Sequence, residues 1–156
     1  MRARRRLLAS IPSRQIGYPH LHRIETRWHD NDSFGHVNNV VYYNYMDTAV
    51  NTHLLKNGID ELRVVASSSC RYMTPMAYPQ PALIGLGVSK LGRSSVAYKI
   101  GIFSVPFLAD GNTTNGAEDA TLCAEGTFTH VYVDAAGKST PLADHARTLL
   151  STLLID

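Results

Sequence analysis

Residues 29 to 39 read His29-Asp30-Asn31-Asp32-Ser33-Phe34-Gly35-His36-Val37-Asn38-Asn39, and the period of the chain changes directly after them. Val41, Tyr42, Tyr45, Met46, Ala49, Val50, His53 and Leu54 follow at helical spacing, a broad apolar stripe that marks one face of a buried helix. Asn38 or Asn39 suits the N-cap, where a short side-chain oxygen takes a free backbone N–H, and Gly58 stands where a left-handed residue ends a helix. The pattern predicts one helix of about 15 to 18 residues, roughly 25 Å long and the longest in the chain.

Outward from that helix the period shortens. His22, Ile24, Thr26 and Trp28 alternate with Leu21, Arg23, Glu25 and Arg27, which predicts a strand over 20–28. Downstream, further strands are predicted over 63–73, 82–91, 96–103 and 121–134. They are separated by a proline-rich stretch at 74–81, a Gly92-Arg93-Ser94 turn and a loop over Asp110–Gly116. A short helix is expected from Asp144 to Leu154. One strand, one long helix and four strands describe an α+β domain whose sheet wraps the helix.

The chain has 156 residues, of which 44% are hydrophobic and 18% charged, enough for one sizeable core and too apolar for global disorder. Its net charge of +2 conceals an uneven distribution. Arg2, Arg4, Arg5, Arg6 and Arg14 lie in the first fourteen residues without an acid, leaving ten bases against thirteen acids in the remainder. Residues 1 to 19 therefore read as a basic tail, 20 to 141 as the folded domain and 142 to 156 as a C-terminal segment. Basic residues gathered at one end do not make the charged face of a nucleic-acid module. No apolar run approaches a membrane span, and Leu7 to Ile11 is too short for a secretory core. Cys70 and Cys123 form neither a disulfide framework nor a metal-binding pair, so a cytoplasmic, reduced protein is expected.

Chemistry concentrates in the quoted segment. A helix N-terminus offers free N–H groups and the positive end of the helix dipole to developing negative charge. A carboxylate on the tight turn just before it supplies a base or nucleophile, and the two together provide what acyl transfer needs. The plainer alternative makes Asp30 and Asp32 turn residues and His36 a buried hydrogen-bonding group.

The longer string Arg27-Trp28-x-Asp30-x-Asp32-x-x-Gly35-His36-Val37-Asn38-Asn39-x-x-Tyr42-x-x-Tyr45-x-Asp47 resembles the opening motif of the 4-hydroxybenzoyl-CoA thioesterase-like hot-dog family. Val64-Val65-Ala66, Tyr72-x-x-Pro75, Leu91-Gly92-Arg93-Ser94-Ser95 and the 124–134 strand extend the resemblance across about residues 20 to 141. It implies an antiparallel sheet of about five strands curled on the central helix, assembled as a homodimer or homotetramer with active sites at the dimer interface. It implies acyl-CoA thioester hydrolysis, with Asp32 as catalytic carboxylate, the Asn39 backbone N–H polarising the carbonyl and His36 shaping the pocket.

The acyl-CoA substrate would also meet Tyr42, and its phosphates would meet Lys90, Arg93 and Ser94, with Arg71 as a second cationic candidate. Asp47 and Val50 depart from the Glu and Arg that many relatives carry there. Asp30 is read as structural, a partner for Arg27 or a cap. His20-x-His22 and His29 do not complete a metal set, and no cofactor beyond the coenzyme A of the substrate is expected. The alternatives are a non-catalytic acyl-CoA-binding protein and a hot-dog hydratase or dehydratase. Removal of residues 1 to 16 is expected to leave the fold and the hydrolytic rate largely intact, which circular dichroism and a rate assay check.

Overall fold

The computed structural model describes residues 16–108, 110, 111 and 117–156. The arginine run of the head and most of the 110–116 loop lie outside these residues. Five strands form one antiparallel sheet: β1 (His20–Ile24), β2 (Arg63–Tyr72), β3 (Ala82–Leu91), β4 (Ser95–Ser104) and β5 (Thr121–Tyr132), in the order β1-β3-β4-β5-β2. The helix α1 (Asn39–Lys56) lies across the sheet, and a short helix α2 (Asp144–Ser151) follows β5. This is the hot-dog arrangement expected from the sequence.

The punctuation of α1 comes from its own residues. Asn38 is the N-cap, and its side chain accepts the Val40 N–H. At the other end Gly58, at φ +74°, turns the chain so that Ile59 N–H returns to Leu54 O at 3.0 Å. Between these caps Tyr45, Met46, Ala49, Val50 and Leu54 face the sheet and are buried with Ile84, Leu86, Tyr98, Ile100, Ala124 and Phe128. Gly126 is where helix and sheet meet most closely, because a Cβ there would collide with Met46 Sδ. The sheet's other face is covered near β3 and β4 by Tyr18, which occupies the space over Gly85 and Gly101.

Two local readings change in three dimensions. β1 ends at Ile24 rather than running to Trp28, because Thr26 Oγ1 donates to Gln80 O and residues 28–30 close a 3₁₀ turn. α2 stops at Ser151, after which Leu153 O accepts the Val88 N–H and Ile155 N–H donates to Val88 O. Thus residues 153–155 bond to β3, and Ala146, Leu150 and Leu153 join the main core. β2 is unusual in that nearly every residue along it is exposed, on both faces of an edge strand.

Candidate active site

The loop between β1 and α1 is built on Asp30, whose side chain is 1% exposed. Its carboxylate accepts the Arg27 N–H at 2.8 Å, Arg27 Nε at 3.0 Å, Arg27 Nη2 at 2.8 Å and the Tyr45 hydroxyl at 2.7 Å. Burial opposes ionisation of Asp30, but the hydrogen bonds from Arg27 and Tyr45 outweigh it and hold the carboxyl below its ordinary range. Burial first, and then the hydrogen bond to Asp30, raise the Tyr45 phenol. Asp30 is thus the structural partner of Arg27, and its own carbonyl accepts the Asn38 N–H at 2.8 Å, fixing the N-cap of α1.

Loss of the Tyr45 hydroxyl removes one charge-assisted bond from a buried carboxylate. Tyr45→Phe is therefore expected to cost about 2 kcal/mol of stability, read from denaturant unfolding. The linkage sign follows from the lowered carboxyl. The stabilisation from Asp30 is present above the unfolded carboxyl's range and disappears as pH falls through the folded one. Asp30→Asn should flatten that acid limb.

Above this base the segment 31–37 forms a small loop closed by an antiparallel bridge between Asn31 and Val37. Asp32 N–H donates to His36 O at 2.9 Å, Asp32 O accepts the Gly35 N–H at 3.1 Å, and Gly35 turns at φ +81°. Asp32 Oδ1 accepts the Phe34 N–H at 2.9 Å, which fixes the side chain by one oxygen and leaves Oδ2 without a partner among the described residues. His36 is exposed, not a buried hydrogen-bonding group. Asn39 begins α1 three positions further on, and its N–H is one of the free donors of the helix start, with no acceptor among the described residues. An unused carboxylate oxygen of the half-buried Asp32 and an unused N–H at a dipole's positive end therefore occur on one short, hydrogen-bonded unit.

The neighbours of this unit are aromatic. Trp28 and Phe34 are 73% and 85% exposed, Trp28 meets Tyr78 edge-on at 5.9 Å, and Tyr78 N–H donates to Asn31 Oδ1 at 3.0 Å. Tyr72 at the end of β2 donates its hydroxyl to Asn39 O at 2.8 Å. In the sequence Tyr72 was visible as part of a strand and of the Tyr72-x-x-Pro75 string, not as a contact of the helix start. Its role in holding the helix start depends on pairing between segments 33 positions apart, which no local pattern reveals.

The other candidate residues fall elsewhere. Tyr42 is 3% exposed, its ring edge-on to Tyr72 at 5.1 Å, and burial raises its phenol to about 12, so it supports the site from within the core. Arg71 is on the sheet face away from α1, 3.9 Å from Glu125 Oε2, in a groove with Ser69, Lys99 and Thr127. Lys90 is the penultimate residue of β3, and Arg93 and Ser94 occupy the β3–β4 turn that follows. Ser95 pairs with Val131 and Val131 with Val64, whereas Tyr72 pairs with Ala124. The turn thus lies at the Arg63 end of the sheet and Asp32 at the Tyr72 end, about 25 to 30 Å apart for a strand of this length. One protomer does not bring them together.

Arg147 of α2, absent from the sequence candidates, braces that turn by donating to Gly92 O at 2.8 Å and Arg93 O at 3.0 Å. Among the described residues no group of three His, Cys, Asp or Glu is arranged to hold a metal ion, and no helix is long and apolar enough to cross a membrane.

A hot-dog sheet carrying a carboxylate loop at the N-terminus of its central helix defines the class of thioesterase-like hot-dog proteins. The chain belongs to the thioesterase superfamily, whose family model matches residues 34–106. It is similar to the PA5185 protein of Pseudomonas aeruginosa, with 39% identity over 90% of this chain and 95% of that one and a TM-score of 0.78. A thioesterase from Thermus thermophilus, whose crystal structure holds coenzyme A and zinc, is 25% identical over 88% of this chain and 95% of that one, at a TM-score of 0.69. The 1,4-dihydroxy-2-naphthoyl-CoA thioesterase of Synechocystis, at 16% identity over 84% of this chain and 94% of that one, shares the fold at a TM-score of 0.70. No curated protein matches the chain.

Proposed function

We propose that the protein is an acyl-CoA thioesterase, hydrolysing a thioester to free carboxylic acid and coenzyme A at the loop that joins Asp32 to Asn39. The observation that carries this reading is the pairing of an anchored carboxylate having one unused oxygen with an unused N–H at the start of α1. A thioester carbonyl oxygen seated at Asn39 N–H gains negative charge as its carbon is attacked, where the donor and the helix dipole stabilise it.

Two routes use the same Asp32 oxygen. As a base it takes a proton from water, whose oxygen bonds to the carbonyl carbon; the tetrahedral intermediate then expels the thiolate, which takes that proton. As a nucleophile it bonds to the carbonyl carbon and expels the thiolate, and water then cleaves the mixed anhydride. Thiolate leaves readily, so neither route needs a Ser-His-Asp triad.

The working unit in this reading is a dimer. β2 is a ten-residue edge strand without Lys or Pro, and it exposes Val64, Val65 and Tyr72. Such an edge is a template for strand pairing. An antiparallel two-fold between Ser67 and Ser68 sets each Arg63 opposite Tyr72 of the partner subunit. The partner's β3–β4 turn, with its Lys90, Arg93 and Ser94, then approaches the Asp32 end of this protomer, where coenzyme A phosphates need cations and hydroxyls. Both cysteines are free, the state kept by a reducing compartment, and we assign the protein to the cytoplasm.

The test is thiol release from short, long, branched and aromatic acyl-CoAs, followed with a thiol reagent. Release with at least one of them is expected. Binding without release throughout the panel would instead describe a non-catalytic acyl-CoA-binding protein.

A further inference from the structure

Asn39, Tyr43, Asp47 and Asn51 recur every four residues and share one face of α1. That face looks onto β2 and β5. Tyr72 bonds Asn39 O, Tyr43 stacks on Phe128 with ring planes 24° apart, and Arg63 Nη2 donates to Asn51 Oδ1 at 2.5 Å. The strip therefore runs from the free N–H of the helix start, past an aromatic middle, to a polar end.

At that end lies a cavity of about 280 Å³ lined by Asp47, Asn51, Asp60, Glu61, Arg63 and His130, among others. His130 is 2% exposed, yet neither of its ring nitrogens has a hydrogen-bond partner among the described residues. Arg63 Nε and the Tyr98 and Tyr132 hydroxyls, all buried, are equally without one. The two Nη atoms of Arg63 are used, on Glu61 O and Asn51 Oδ1, and Asn51 in turn donates to Asp47 Oδ1 at 2.9 Å. Groups of this kind lose free energy against hydrocarbon and regain it against a ligand that hydrogen-bonds. The catalytic reading uses none of them.

The charges lining the cavity narrow the ligand. Three carboxylates against one guanidinium repel an anionic group, while the unpaired Arg63 Nε–H asks for an acceptor and Glu61 Oε2, buried and equally unpaired, asks for a donor. Burial, with Arg63 beside it, pushes His130 down to about 4, so its imidazole is neutral near pH 7 and offers one N–H and one lone pair. Asp47 stands eight residues beyond Asn39 on the helix, about 12 Å along its axis.

We propose that this cavity is a recognition subsite for a neutral oxygen function, a hydroxyl or keto group, at the far end of a medium-length acyl chain whose thioester carbonyl sits at Asn39. The inference rests on the thioesterase reading and deepens it. Chains ending in a methyl group leave His130 and Arg63 Nε unpaired, and a site built to pair with an oxygen discriminates against an analogue without it.

The experiment compares kcat/KM for three ten-carbon thioesters of coenzyme A: decanoyl, decanoyl bearing a terminal hydroxyl, and the dicarboxylic half-thioester. The wild-type protein, His130→Phe and Arg63→Met are each assayed, with melting temperatures recorded. The wild type is expected to favour the hydroxylated chain over decanoyl by about tenfold or more, and that ratio should fall toward one in whichever variant is folded. A wild-type ratio of one or below, a preference for the dicarboxylate, or a preference retained in a folded variant overturns the subsite while leaving thioester hydrolysis standing. Absence of thiol release from the three thioesters and from the wider acyl-CoA panel overturns hydrolysis itself, and the subsite with it.

Discussion

Asp32→Asn should fold like the wild type and lose at least about a hundredfold in kcat with an acyl-CoA that the parent hydrolyses, the scale on which single groups contribute to acid–base or nucleophilic catalysis. The substitution is nearly isosteric. Asn offers the same oxygen to the Phe34 N–H, so the turn that carries residue 32 is kept. What disappears is the unused carboxylate oxygen, and an amide neither accepts a proton from water at neutral pH nor forms an anhydride. KM should change far less than kcat, because binding is assigned to other residues. A variant with wild-type turnover would remove Asp32 from the mechanism. One that fails to fold would make residue 32 structural, as Asp30 is.

The second large effect belongs to the β2 edge. Ser67 and Ser68 are both exposed, and each lies beside the proposed two-fold axis. Ser67→Lys combined with Ser68→Lys places like charges directly opposite across the paired strands, the device by which natural edge strands avoid association. The double variant should sediment as a monomer with an unchanged circular dichroism spectrum. Its kcat/KM for acyl-CoA should fall at least about a hundredfold, because the partner's β3–β4 turn is withdrawn from the Asp32 end. A variant that stays dimeric would contradict the β2 pairing, and a fully active monomer would contradict the shared site.

Elements governed by near neighbours were legible in the sequence. α1 was bounded correctly by an Asn cap and Gly58, because a cap and a left-handed glycine act within a few residues. β4 was legible because Val96, Tyr98, Ile100 and Ile102 alternate toward α1. The Asp30–Arg27 pair was legible for the same reason, being three residues apart.

Features set by distant partners were hidden. β1 was read four residues too long because Thr26 is withdrawn from the sheet by Gln80, 54 positions away. Tyr45 looked like any core residue of a helical stripe, and only the fold brings its hydroxyl to Asp30. Val64 and Val65 had the composition of a buried strand, yet both are about half exposed, since strand order rather than residue type makes β2 an edge. His130 was read as one position in a strand, and its unpaired nitrogens depend on what Arg63 and Asn51 leave unbonded.

The site shows the same division. The loop chemistry of Asp32, Gly35 and Asn39 is written in consecutive residues. The polar cavity under α1 is assembled from the helix, β2 and β5, and so emerges only in three dimensions. The distance between the Asp32 loop and the β3–β4 turn is likewise a property of the sheet. It turns a list of candidate phosphate ligands into an argument for a second subunit.

The most direct test of the central claim is mass spectrometry of the products formed from an acyl-CoA in oxygen-labelled water. Hydrolysis at this site predicts coenzyme A with a free thiol and a carboxylic acid that carries the label, in equal amounts. A thioester recovered bound but intact, or one with water added to its acyl chain and its thioester bond unbroken, would contradict it.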